Sequence, residues 1–172
     1  MRAIRHYRQR SYHSLALADL AGKLTIQDQV HYLSAIADKA VSYVAHYLCQ
    51  SFDIDSHSLI ILALGKLGAE ELNYSSDIDL IFYYDAEAAR HDQHIYVKLT
   101  RRFIELMQKQ TADGFGWRVD LRLRPDPGAT AICLSLQAAI SYYESIARSW
   151  ERAVYLRARP IAGNVMLGEM FL

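Results

Sequence analysis

The chain of 172 residues is poor in several features that would place it in a large protein class. It has two cysteines, Cys49 and Cys133, and neither sits in a metal-ligand spacing. That argues against a disulfide scaffold and fits reduced thiols in a cytoplasmic protein. No charge of one sign dominates: 19 Lys and Arg residues face 19 Asp and Glu residues, for a formal net charge of zero. Proteins that grip a nucleic-acid backbone by bulk charge are usually basic, so nucleic acid is not an expected partner. No apolar run approaches the roughly 18 residues that would cross a bilayer. The basic start "MRAIRHYRQRSYHS" lacks the apolar core and cleavage site of a signal peptide. Low-complexity tracts and internal repeats are missing as well. What is there, at 52% hydrophobic and 22% charged residues, is the composition of an ordinary globular domain with a real core.

The strongest helical pattern is "TIQDQVHYLSAIADKAVSYVAHYLCQS". Thr25 and Asp28 can form a capping box, and Val30, Leu33, Ala37, Ala40, Val41, Val44 and Leu48 recur at helical spacing. From Ser58 the texture changes. "LIILAL" is a continuous apolar run, suited to a strand buried on both faces. "GKLGAEELNYSS" reads as a turn with a short helix and "DIDLIFYY" as a second strand. "DQHIYVKLTRRFIELMQKQT" reads as a helix with Ile95, Leu99, Phe103, Leu106 and Met107 facing inward. "WRVDLRLR" alternates strictly and predicts a third strand, and "AICLS" a short fourth. "LQAAISYYESIARSWERAVYLRAR" predicts helix in one or two pieces. These elements divide the chain into a helical lead-in over 1–55, a catalytic core over 56–163 and the start of a further helical region over 164–172. The pattern "VMLGEMFL" at the end reads as a helix in progress, so a longer polypeptide is expected.

The chemistry concentrates at the second and third strands. Alternation places Asp77 and Asp79 on one strand face, opposite Ile78, Leu80 and Phe82, with the carboxylates roughly 7 Å apart along the strand. Strand interiors are poor in Asp, and two carboxylates on one face suit Mg²⁺, a hard ion that takes oxygen ligands and keeps phosphate oxygens in its shell. In the alternating third segment, Arg118, Asp120, Arg122 and Arg124 oppose Val119, Leu121 and Leu123. If the polar faces meet, three carboxylates would hold two metal ions and the guanidiniums would take phosphate oxygens in pairs, the layout of two-metal phosphoryl or nucleotidyl transfer. Gly65 and Gly68 in "GKLG" could bring backbone N–H groups to a phosphate, Lys66 could add a charge, and Ser75 and Ser76 could donate hydrogen bonds. The spacing is not that of a P-loop. Blander readings stand beside these: a solvated strand end or salt bridges to Arg118 and Arg122 for the acids, an exposed edge-strand face for the arginines, and a tight turn for the glycines. His91 and His94 read as surface residues, the twelve tyrosines as packing, and the arginines at 148, 152, 157 and 159 as a charged helix face or a substrate contact.

Three ordered stretches, "LGKLGAEELNYSSDIDLIFYYD", "DGFGWRVDLRLRPDPGA" and "SYYESIARSWERAVYLRARPIAG", closely resemble the glutamine synthetase adenylyltransferase family. The resemblance runs from about residue 59 to 163. It implies an α+β nucleotidyltransferase fold of the DNA polymerase β type, a small mixed sheet flanked by helices and followed by a helical bundle. It further implies that Asp77 and Asp79 are the metal-binding pair and Asp120 the third carboxylate. Gly65-Lys66 stands where the wider superfamily has Gly-Ser. Family members carry two catalytic halves, one removing AMP from a tyrosine of glutamine synthetase by phosphorolysis to give ADP, the other attaching AMP from ATP. The three stretches look more like the first half. The implied partners are glutamine synthetase, the nucleotides and phosphate, with the PII signalling protein acting through parts of the enzyme outside this chain. Transfer from ATP, and a nucleotide- or partner-binding domain without turnover, are the competing expectations.

Overall fold

The computed structural model describes residues 2–172. Two antiparallel helices come first, α1 (Arg2–Leu20) and α2 (Ile26–Ser51). Thr25 caps α2 as its sequence requires: its hydroxyl accepts the Asp28 N–H, and the Asp28 carboxylate accepts the Thr25 N–H. A short 3-10 turn leads to β1 (Leu59–Leu64), in which every residue is buried. The single-turn helix α3 (Gly65–Gly68) and a loop return the chain to β2 (Ile78–Tyr84). There follow α4 (Gln93–Gln108), β3 (Val119–Asp120), β4 (Cys133–Ser135), α5 (Leu136–Ser145), α6 (Ser149–Ala153), β5 (Arg159–Gly163) and α7 (Val165–Phe171).

The sheet is small and mixed, in the order β3-β2-β1-β5, with β4 also pairing with β2. β1 is antiparallel to β2 and β5, whereas β3 and β4 run parallel to β2. Helices cover both faces. Leu59, Ile61 and Ala63 of β1 and Ile78, Leu80 and Phe82 of β2 pack with α1, α2 and α4. Ile60, Leu62 and Leu64, with Ile81 and Tyr83, pack with α5 and α7 on the other face. The architecture is therefore α+β with a small mixed sheet, consistent with a nucleotidyltransferase-like fold. The boundary expected between residues 55 and 56 falls between α2 and β1, yet Leu33, Val41 and Leu48 of α2 belong to the same core as Leu59 and Ile61.

Two elements differ from the sequence-based expectation. The third strand was expected over "WRVDLRLR" but spans only Val119–Asp120. Beyond it, the Asp120 side chain accepts the Arg122 N–H at 2.8 Å, an Asx turn that bends the chain out of the sheet. A continued strand would have kept Leu121 and Leu123 on one face; instead Leu121 enters the α1–α2–α4 core and Leu123 packs on the α5–α7 side. The second difference is β5, which the sequence did not announce because Pro160 lies within it. Proline removes a ladder donor and is tolerated at an edge, where β5 sits. In α4, Tyr96 and Thr100 are buried in addition to Leu99, Phe103 and Met107, while Ile95 and Leu106 are only half-buried.

Candidate active site

The acids collect where β1 ends and β2 begins. Parallel pairing sets Asp79 directly beside Asp120, and antiparallel pairing sets Asp79 opposite Leu64. In-register residues of neighbouring strands share a face, so Asp79 and Asp120 project together on the α5–α7 side. Asp77 lies two residues before Asp79 on the same side, in the segment entering β2. Gly65 closes the site from β1. Its φ of +54° is left-handed, and a Cβ there would lie 2.4 Å from Asp79 Oδ2, so glycine suits the backbone and leaves room for that carboxylate.

The three carboxylates have different environments. Asp77 is exposed and pairs with Arg118, whose Nη2 also donates to the Ser75 carbonyl at 2.6 Å. Asp120 is mostly covered, with its side chain 15% exposed, and accepts from Arg122 Nε at 2.8 Å. That hydrogen bond holds its carboxyl below the ordinary carboxylate range. Asp79 has no ion pair or side-chain hydrogen bond among the described residues. Burial, then the charges of Asp120 and Asp77, push its pKa up to about 6, against the partial relief of Arg122 and Lys66.

The donor set fits a divalent cation in chemistry and backbone placement: hard carboxylate oxygens on adjacent strands, with Asp79 raised by burial and then by its neighbours' negative charge. With Asp77 turned to Arg118 and Asp120 to Arg122, however, no three ligating groups among the described residues converge into a metal cage. The Asp77–Arg118 pair is exposed on both sides and opens at a cost of about 0–1 kcal/mol, whereas Asp120 is covered and holds Arg122 through several hydrogen bonds.

The other residues singled out in the sequence separate into two groups. Lys66 is exposed and near enough to Asp79 to lower its pKa. Ser75 and Ser76 sit in the turn before β2, engaged with Asn73: Ser75 Oγ donates to Asn73 Oδ1 at 3.2 Å, and Ser76 Oγ accepts the Asn73 N–H at 3.3 Å. Gly68 faces away from the acids. A Cβ there would meet the Arg157 and Ala63 carbonyls at 2.1 and 2.7 Å, so it is a close-packing position. Arg124 braces its own loop, donating to the Leu121 and Pro127 carbonyls at 2.8 Å each. Arg157 and Arg159 are likewise structural, bonded to Glu71 at 3.0 Å and Asp38 at 2.8 Å. His91 bonds the Asp53 carbonyl, and His94 stands beside Asp92, in separate surface positions. Tyr83, Tyr143 and Tyr155 link their hydroxyls within the α5–α7 packing, at 2.6 and 3.0 Å.

Sequence reasoning missed a second feature next to the acids. A cleft of about 220 Å³ lies beside the segment that enters β3, lined by Arg8 of α1, Tyr74, Ser75, Ser76, Phe115, Trp117 and Arg118. The i, i+4 spacing of Arg8 and Tyr12 was the one local signal for it: the Arg8 guanidinium lies 4.7 Å from the Tyr12 ring centre.

An α+β unit with carboxylates in register on adjacent parallel strands, flanked by arginines, defines the class of site. The chain's relatives narrow the class to a family. The model of the glutamate–ammonia ligase adenylyltransferase family matches residues 1–172, and the chain belongs to that family. Similar curated proteins include those of Agrobacterium fabrum, 41% identical over 175 residues, and Xanthobacter autotrophicus, 40% identical over 190 residues. A third, from Rhizobium meliloti, is 39% identical over 190 residues. Each is described as a bifunctional glutamine synthetase adenylyltransferase/adenylyl-removing enzyme. The alignments cover 91% of this chain for the first and all of it for the others, but only 18–19% of the relatives' own length.

Proposed function

We propose that this chain carries an adenylyl-removing site, which releases AMP from an adenylylated tyrosine of glutamine synthetase by phosphorolysis and yields ADP. The observation that carries this reading is the in-register placement of Asp79 and Asp120, with Asp77 on the same side and Arg118 and Arg122 as their partners. Asp77, Asp79 and Asp120 would hold Mg²⁺, in the expected case two ions. When bound, the metal withdraws charge from the phosphoryl oxygens and from the departing oxygen.

The chain's own residues supply the rest. Arg118 and Arg122 are exposed, planar donors that can release their carboxylates and turn to phosphate oxygens. An oxygen of inorganic phosphate forms the new bond to the α-phosphorus while the bond from phosphorus to the tyrosine oxygen breaks. The phenolate leaves and takes a proton from solvent. With a phenol pKa near 10, the leaving group needs charge stabilisation more than a strong acid. A raised pKa at Asp79 matches a carboxylate placed for cations. The free, buried thiols of Cys49 and Cys133 support a reducing, cytoplasmic setting. Action of the PII protein would come through segments outside these 172 residues.

To test the reading, the chain is exchanged for the matching segment of the Agrobacterium relative, and the chimera is incubated with adenylylated glutamine synthetase, Mg²⁺ and phosphate. ADP release is expected, and Asp77→Asn with Asp79→Asn abolishes it. ADP release undiminished by the double substitution overturns the site. Labelling of unmodified glutamine synthetase from ATP by the same segment, without ADP release, establishes transfer in the opposite direction instead.

A further inference from the structure

We infer that the cleft between α1 and the turn before β2 is an oxyanion subsite for inorganic phosphate, with Arg8 and Arg118 as its cationic walls. The inference rests on the phosphorolytic reading for its role, but its geometry stands apart from the acids.

Arg8 is the unusual residue. Its guanidinium carbon lies 4.7, 4.9 and 5.4 Å from the ring centres of Tyr12, Phe115 and Trp117. Such aromatic faces stabilise the cation but accept none of its five hydrogen bonds. Among the described residues Arg8 has no hydrogen bond or ion pair, and its Nε is buried without an acceptor. A covered charged donor without a partner is costly, and the cleft it lines is where an acceptor would enter.

The opposite wall is prepared in a complementary way. Arg118 commits Nε to Asp77 and Nη2 to the Ser75 carbonyl, leaving Nη1 without an acceptor among the described residues. Ser76 Oγ accepts the Asn73 N–H, so its own hydrogen remains available to donate. Cationic and hydroxyl donors with unfilled positions in one cleft select a small, multiply charged oxyanion. The volume of about 220 Å³ is below the roughly 300–1,000 Å³ of pockets that enclose a drug-sized ligand. A free phosphate fits that scale better than a nucleotide. Arg118 lines the cleft and also pairs with Asp77, so one side chain is shared between the cleft and the acid cluster.

The test titrates the chain itself with orthophosphate at constant ionic strength, followed by calorimetry and by ³¹P line broadening. Saturable binding is expected, weakened about tenfold or more by Arg8→Met, as losing a charge-assisted contact implies. Arg8→Gln, neutral but still a donor, replaces that variant if Arg8→Met does not fold by thermal unfolding. AMP and ADP serve as competitors. Displacement by ADP, whose β-phosphate is the group that phosphorolysis takes from orthophosphate, supports the assignment. An Arg8-dependent AMP affinity equal to that for orthophosphate overturns it in favour of the adenylyl phosphate. No saturable phosphate binding, or affinity unchanged in both Arg8 variants, also overturns it. Arg8-dependent phosphate binding together with failure of the chimera to release ADP would sink the phosphorolytic reading and leave the subsite standing.

Discussion

The two glycines of "GKLG" lie three residues apart and should respond to alanine in opposite ways. At Gly65 the added Cβ would sit 2.4 Å from Asp79 Oδ2, against a floor near 3.0 Å for real contacts. The carboxylate must therefore move by at least 3.0 − 2.4 = 0.6 Å. Asp79 is a side chain with no hydrogen bond to hold it, so the displacement is mechanically easy, and the main stability cost is the left-handed φ of +54°, about 1–2 kcal/mol. For a domain of this size that lowers Tm by about 2–8 °C. Catalysis pays more, since misplacement by about 1 Å can cost about 100-fold. At Gly68 the contacts are backbone carbonyls at 2.1 and 2.7 Å, which cannot swing aside. Gly68→Ala forces α3, Arg157 and β1 apart and should cost about 3 kcal/mol or more, with activity lost only as the fold is lost. Thermal unfolding of the chain and ADP release by the chimera, measured on the same two substitutions, separate the effects. A Gly65→Ala variant that keeps full turnover, or a Gly68→Ala variant with unchanged Tm, refutes the assignment of one glycine to the carboxylate and the other to packing.

The raised Asp79 pKa has a definite sign. Between the ordinary value of 3.8 and about 6 the folded chain binds more protons than the unfolded one, so the Asp79 contribution to stability falls as pH rises through that window. The full difference would be about 3 kcal/mol; the carboxylate is half-exposed, and solvent screening reduces this to about 1 kcal/mol. Asp79→Asn should then raise Tm at pH 7.5 and lose its advantage below about pH 4, and a variant less stable than the parent at pH 7.5 contradicts the reading. Arg159→Met leaves Asp38, which already has a buried, unpaired Oδ1, without its cation; roughly 3 kcal/mol of stability should go, read by denaturant midpoint. Burial pushes Cys49 up to about 11 and Cys133 up to about 12, so neither should react with a disulfide reagent at pH 8 until the chain unfolds, and prompt native-state labelling would show that the strands and α2 open readily.

Local rules made much of this molecule readable in advance. The Thr25–Asp28 box starts α2 because both partners lie within one turn, and the unbroken apolar run 59–64 is central because nothing in it needs water. The alternation in "DIDLIFYY" put Asp79 and Ile78 on opposite faces, as found. What failed were features that depend on distant partners or on a side chain competing with the ladder. Asp120 ends β3 by capturing the Arg122 N–H, and no period-2 pattern registers that competition. β5 was hidden by Pro160, which is acceptable only because the strand lies at the sheet edge, a fact of topology. The same holds for the site. Asp77, Asp79 and Asp120 were visible as types at spacings, but Arg8 enters from 69 positions before Asp77, carried by a helix whose own sequence gives no hint of which residues it will face.

The arrangement of counter-ions gives the acid cluster an internal logic. Asp77 and Asp120 each rest on an exposed arginine; the Asp77 contact is worth about 0–1 kcal/mol and is easily exchanged, while covered Asp120 holds its arginine more firmly. Asp79 has no such tether among the described residues, and the missing Cβ at Gly65 leaves room for its carboxylate. One acid is thus unpaired in space that Gly65 leaves open, and two are paired with exposed arginines. Arg118 shows how economical this is, because its fork reaches Asp77 and the Ser75 carbonyl, keeps Nη1 without an acceptor among the described residues, and lines the Arg8 cleft. A lysine there would keep the charge and lose the fork, so it could serve one of these partners at a time. Arg118→Lys therefore tests the planar fork apart from the charge: it keeps one cation beside Asp77 and removes the simultaneous bond to the Ser75 carbonyl.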